Sequence, residues 1–217
     1  MGQIDDIADR YVDEWAELSP IEATYAGIAG HDHTFDDLSP EGYAAKADLV
    51  RRTLAELATV PPADDAEHVA RASMEERLGL WLDRYDAGDL TSEVNVITSA
   101  LHDARGTFDL MPTEGEEAVG NIASRLGEIP RVVEQYQRTL LAAADAGHVS
   151  ATAQMLEAAR QFDTWVDPAG DDMFRKLAAG LPASGALRAR LDEAAEAASA
   201  ATADMARFLR EELAPRG

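Results

Sequence analysis

The sequence predicts an all-α protein: a multi-helix bundle of roughly eight to nine helices, elongated, with a long C-terminal helix. Three observations carry that expectation. Apolar residues recur at spacings of three and four through nearly every segment. Proline, glycine and Ser/Thr-x-x-Glu patterns stand where such segments would start or stop. No β-hairpin signal, low-complexity tract or internal repeat interrupts them. A chain of 217 residues can bury a sizeable core, and residues 1–217 are expected to form a single helical domain.

The first helix carries Ile4, Ile7, Tyr11, Trp15 and Leu18 on one face, with Asp and Glu opposite. In "SPIE", Ser19 can cap, Pro20 suits the first helical position and Glu22 completes a capping box. That second helix is expected to end at Gly27. "SPEG" opens a third, from Ser39 to about Thr59, with Tyr43, Leu49, Val50, Leu54 and Leu57 apolar, and the prolines of "VPPADD" stop it. Residues 66–87 follow with Val69, Met74, Leu78, Trp81, Leu82 and Tyr85. Val94, Val96 and Ile97 could begin a strand, but a short helix near residues 97–105 is preferred.

Thr113 and Glu116 form another capping box, opening a helix through Val119, Ile122 and Leu126. Pro130 is expected to restart the chain for a separate helix, closed by Gly147. Ser150 should start the next, with Met155, Phe162, Trp165 and Val166 inward, and "DPAGDD" should break it. A short helix around Met173, Phe174 and Leu177 ends at Gly180. The last runs from about Ser184 to Leu213, and its alanine-rich middle would let a neighbouring helix approach closely. Trp15, Trp81 and Trp165 each fall on an apolar stripe and are assigned to the core rather than to a stacking platform.

Charge narrows the partners. Acidic residues number 41 against 19 basic ones, a formal charge of −22. That field repels phosphate backbones and anionic membrane surfaces, so neither a nucleic acid nor a membrane is expected as partner. Lys46 and Lys176 are the sole lysines in an arginine-dominated basic set, a mark of base composition rather than function. The absence of cysteine excludes disulfides, thiolate zinc sites and a cysteine nucleophile. "MGQIDDIADRYVDEW" has no basic stretch followed by an apolar one, so no signal peptide is read there and cytoplasmic residence is expected.

No complete catalytic motif is present. None of the five histidines (His31, His33, His68, His102, His148) begins an H-E-x-x-H zinc motif. The nearest approaches to di-iron E-x-x-H pairs, Asp65 with His68 and Asp145 with His148, fall at helix borders. Phosphate loop, dinucleotide fingerprint and serine elbow are missing too. The expected catalytic and metal-ligating sets in this chain are therefore empty.

Two stretches remain as possible ligand or cleft contacts. In "GIAGHDHTFDDLSP", His31, Asp32 and His33 could converge on a metal if the loop curls. Alternating residues on an irregular loop have no geometry enforced by a helix, so a structural loop is the preferred reading: Asp and Ser cap the next helix, Phe35 and Leu38 tuck inward, and the histidines are solvated. In "LHDARGTFDLMP", His102 and Arg105 would share a helix face and could meet a carboxylate-bearing ligand. The plainer reading satisfies His102 on a backbone carbonyl and pairs Arg105 with Asp103 or Asp109.

"ADRYVDEWAELSPIEATYAGIAGHDHTFDDLSPEG" resembles the opening of the bacterial domain-of-unknown-function 885 proteins, and "ITSALHDARGTFDLMPTEGEEAVGNIASRLGEIPRVVEQYQRTLLAAADAGHVSA" resembles that family's next segment. The likeness runs along nearly the whole chain and consists of packing and turn residues. It implies kinship with helical zinc metallopeptidases whose H-E-x-x-H motif lies in a C-terminal half. That motif matches no position here, so no family site residue is carried over, and zinc is expected only with that other half. The resemblance thus implies a non-catalytic, cleft-forming N-terminal region of a metallopeptidase-like protein. Its expected partners are the C-terminal half, a second copy through exposed apolar surface, or a peptide. The alternative is a free-standing helical binding module without enzyme activity. A reading frame continuing past Gly217 would favour the first, and a stop codon there the second.

Overall fold

The computed structural model describes residues 2–167, 169, 170 and 172–217. Among them it has ten α-helices and no strand: α1 (Gln3–Leu18), α2 (Pro20–Ala26), α3 (Pro40–Leu57), α4 (Asp65–Asp86), α5 (Asp89–Ser92), α6 (Ala100–Thr107), α7 (Glu116–Asp145), α8 (Thr152–Trp165), α9 (Met173–Gly180) and α10 (Gly185–Phe208). A π-helical turn (Leu209–Leu213) and a 3-10 turn (Ala214–Arg216) prolong α10. The all-α expectation holds, with ten helices where roughly eight to nine were expected. The break expected at "DPAGDD" includes Pro168 and Asp171, which lie outside the described residues. No described helix is long and apolar enough to cross a membrane.

The core is organised by α7 packed along α10. Ile122, Leu126, Ile129, Val133, Tyr136 and Leu140 make a buried stripe down α7 at alternating steps of four and three. Alanines 194, 195, 198 and 201 line the facing side of α10, and Gly127 of α7 sits opposite Ala194. Small side chains at that seam let the two backbones approach, as the alanine-rich middle of α10 implied. Met155, Phe162 and Phe174 from α8 and α9 complete the same buried cluster. A separate small cluster, Ile4, Ile7 and Leu57, joins α1 to α3. Beside it the Glu67 carboxylate accepts from the amides of Ile4 and Ala63 at 3.2 and 2.7 Å, tying the start of α1 to the α3–α4 connection.

Several local expectations are corrected. Pro130 does not restart a helix but lies inside the continuous 30-residue α7. A mid-helix proline deletes one hydrogen bond and crowds the preceding turn, costing about 3 kcal/mol. The apolar stripe of α7 passes through position 130 unbroken, and burying each such side chain contributes about 1.5–3 kcal/mol, so packing overrides the breaker. The Thr113–Glu116 capping box does not form, because Gly115, at φ +92°, sits at the cap and α7 begins at Glu116. Ser150 does not cap α8. Its hydroxyl donates to the Ser92 carbonyl and accepts from the Val94 amide, each at 2.8 Å, and so fastens the α5–α6 connection to α8. Val69, assigned to an apolar stripe, is exposed, and so are Leu80 on α4 and Ile97 before α6. The short helix expected near 97–105 begins later, at Ala100.

Candidate functional site

A half-open cavity of about 540 Å³ lies where α1 to α7 meet. Its position follows from the turn after α1. Ser19 precedes α2, yet its hydroxyl makes no cap: it donates to Asp36 at 2.7 Å instead. Asp36, buried and brought in by the α2–α3 loop, accepts the Ile21 amide at 2.9 Å and thereby supplies the cap from outside the helix. Lys46 of α3 donates to the same carboxylate at 2.5 Å and stands over the Trp15 ring, 5.7 Å from its centroid. Glu22 does not complete a capping box either; its carboxylate accepts the Trp15 indole N–H at 2.7 Å.

This network closes the cavity floor, and Ser19, Asp36 and Lys46 are all buried. A serine beside a lysine resembles a nucleophile–base pair, and Lys46 Nζ lies 3.4 Å from Ser19 Oγ. Both groups donate to Asp36, however, so the arrangement is an ion pair with a bridging hydroxyl. Such a pair fixes geometry: removing one partner strands a buried charge.

Aromatic rings form the cavity walls. Trp15 and Trp81 meet edge to face at 5.5 Å, and Trp81 stacks on Tyr85 at 5.9 Å. Both indoles are half-buried and line the cavity, where the sequence pattern placed them in the core. Tyr136 rises from α7 and donates to the Glu93 carbonyl, and burial pushes its phenol well above its ordinary value. Tyr43 also lines the cavity, but among the described residues its hydroxyl has no hydrogen-bond partner. Burial, then Asp36, Glu93 and Asp103, hold that phenol in its neutral form.

Asp103 is the other group left open. It lines the cavity from α6, and among the described residues its carboxylate has no hydrogen-bond or ion-pair partner. Burial first, and then the charges of Glu93, Glu22 and Asp36, raise its pKa. A half-buried carboxylate kept among like charges in a cavity is the kind of perturbed group that marks a binding site.

The residues singled out by sequence lie elsewhere. His102 and Arg105 stand near Asp103 on α6, but neither lines the cavity. His102 bonds to Ser99 Oγ at 2.6 Å and to Gln161 Oε1 at 2.8 Å, between Phe162 and Trp165. An amide oxygen only accepts, so Nε2 carries the proton and Nδ1 accepts from Ser99. Burial lowers its pKa. Arg105 pairs with Asp109.

The loop that carries His31, Asp32 and His33 is held by Arg125, a fully buried side chain of α7. Its guanidinium donates to the carbonyls of Thr34, Pro20 and His31 and to the Thr24 hydroxyl, at 2.8–3.1 Å, and packs over Phe35. Asp32 accepts from the Thr24 hydroxyl at 2.8 Å. The His31 and His33 rings make no hydrogen bond among the described residues, and His33 is exposed. Phe35 and Leu38 are buried, and Ser39 caps α3 through the Gly42 amide. A second hollow of about 530 Å³ beside Asp32 and His33 is walled by Glu114, Glu116 and Glu117. Among the described residues no three His, Asp or Glu side chains converge so as to hold a metal ion.

The sequence reading missed Tyr43 and Asp103 as open groups and Asp36–Lys46 as the cavity floor. One signal was available: Lys46 is one of two lysines in a chain whose other cations are arginines. No match is found among curated proteins. The family model described as a bacterial protein of unknown function, DUF885, matches residues 20–217, and the chain belongs to that family.

Proposed function

We propose that this chain is a non-catalytic, cleft-forming helical region of a metallopeptidase-like protein, and that the cavity between α1 and α7 receives part of a peptide. Zinc and its ligands would come from a part of the protein outside these residues. The observation that carries the reading is the cavity itself: an ion-paired floor, indole walls and two polar groups lining it, Asp103 and Tyr43, that have no partner among the described residues. Pockets with apolar walls and a few convergent polar groups are where small ligands and peptide side chains bind. Ser19 and Lys46 are tied to Asp36, and His102 to Ser99 and Gln161, so these side chains serve the framework of the fold.

The direct test incubates the 217-residue chain with a mixed peptide library, following cleavage by mass spectrometry and binding by calorimetry. Binding without cleavage is expected. Peptide turnover that a chelator abolishes would overturn the proposal.

A further inference from the structure

The charges around the cavity do not balance, and that imbalance selects its ligand. Four carboxylates line it, from Glu22, Asp36, Glu93 and Asp103, against the cations of Lys46 and Arg84. Lys46 is committed to Asp36, and Arg84 meets Glu93 at 3.4 Å. Glu22 has only the neutral indole N–H of Trp15, and Asp103 has no partner among the described residues. Two negative charges thus remain uncompensated beside aromatic faces, in a molecule whose formal charge is −22. An anion entering here would meet repulsion at short range and at long range.

The open groups narrow the class of cation. No three carboxylates converge as a metal would require among the described residues. The Tyr43 hydroxyl oxygen and the Asp103 carboxylate offer acceptors to a group with several donors, such as an ammonium. Indole faces attract cations, and Ile21, Leu38, Leu90 and Ala100 offer apolar surface to a carbon stem.

We infer that the cavity binds a protonated primary amine, with the ammonium on Asp103 and Tyr43 and its carbon stem against Trp15 and Trp81. The inference rests on reading this cavity as the ligand site, and it adds the chemistry of the ligand. A peptide's free amino terminus and a lysine side chain carry the same group. Asp103 then has a reason to stand unpaired: its counter-charge arrives with the ligand.

The test uses three probes on the 217-residue chain: the tripeptide amide Leu-Gly-Gly-NH2, its N-acetyl form, and Nα-acetyl-lysine amide. Calorimetry reads affinity and intrinsic tryptophan fluorescence reads occupancy beside Trp15 and Trp81. At least one of the two amine-bearing probes is expected to bind, and whichever binds identifies the source of the ammonium. N-acetylation of the tripeptide should weaken it about tenfold or more, the expected scale for losing a hydrogen bond to a charged group. Asp103→Asn should cost a similar factor and Tyr43→Phe less, both with unchanged circular dichroism and no loss of thermal stability.

Equal affinity for the acetylated and free tripeptides, with the fluorescence change retained, would remove the amine and leave the cavity a peptide site. An unaltered affinity in Asp103→Asn would also overturn the inference. Silence from all three probes at millimolar concentration would remove both the amine and the peptide reading of the cavity.

Discussion

The helices α7 to α10 and the helices α1, α3 and α4 are held together by different means. α7, α8, α9 and α10 share one buried apolar cluster, in which alanine faces and aromatic rings close the space between them. Ile21, Phe35, Leu38, Val94, Leu101, Ala104, Phe108 and Met111 from α2, α6 and the neighbouring loops belong to it too. In contrast, α1, α3 and α4 share only the small cluster of Ile4, Ile7 and Leu57, and Leu78 is the sole buried apolar side chain that α4 contributes. Polar bonds supplement this thin packing: Asp36 with Lys46 and Ser19, Glu67 on two amides, and Arg125 reaching across from α7 to the α2–α3 stretch. The cavity opens where the polar-braced region meets the packed one. Dry packing leaves no room for a ligand, whereas directional bonds can hold helices apart around a solvent-filled space.

The sharpest way to break this contrast is Asp36→Ala. It strands the buried Lys46 and removes the α2 cap, and should cost about 3–5 kcal/mol in urea unfolding. Replacing both partners, Asp36→Ala with Lys46→Met, should recover much of that loss. A single variant that unfolds like wild type would mean the region does not depend on its polar brace.

Next come matched core truncations, Leu126→Ala and Leu57→Ala, both at fully buried positions. Each should cost about 2–5 kcal/mol where it acts. Hydrogen exchange should place the first across α7 and α10 and confine the second to α1, α3 and α4. Identical exchange maps would show one cooperative unit instead of two differently held regions.

A smaller effect tests the packed side through pH. His102 is neutral in the fold and burial lowers its pKa, so below about pH 6.5 the unfolded chain binds the additional proton. Its contribution to stability is therefore intact above that pH and is lost as pH falls towards the folded value. Histidine NMR should show the ring still neutral where a free imidazole has begun to charge, and His102→Gln should flatten that part of the stability–pH curve. The smallest change has the opposite sign. Asp103 has a raised pKa, so its charge opposes folding at neutral pH, and Asp103→Asn should stabilise the unliganded protein by less than about 1 kcal/mol. A thermal midpoint that falls in this variant would show that the carboxylate has a structural partner.

Most of the fold was legible because amphipathic spacing, prolines and glycines are local signals. α1, α2 ending at Gly27 with φ +72°, and α9 ending at Gly180 follow from a few adjacent residues each. Misreadings arose where a distant group took over a local role. Ser19 and Ser150 look like caps but serve Asp36 and the α5–α6 connection, and Pro130 looks like a stop but is carried by a stripe extending on both sides. The cavity was illegible for the same reason. Its groups come from seven stretches of chain, and what distinguishes Asp103 and Tyr43 is the lack of a partner, which no neighbour in sequence reveals. The notice given to His31, His33 and His102 followed residue type, while the environment that perturbs a group is set by packing.

Arg125 imposes an order of events on folding. Ninety-one residues separate its guanidinium from the Thr34 carbonyl it fastens. Ribosomes add about 5–20 residues each second, so for roughly 5–20 s the segment around Thr34 waits unfastened. During that interval Asp36 and Lys46 are already synthesised and can meet, but the turn carrying Asp36 has nothing to hold its outer edge. Slowing translation between codons 34 and 125 would lengthen the interval in which the Gly27–Leu38 stretch stands open to proteases and chaperones.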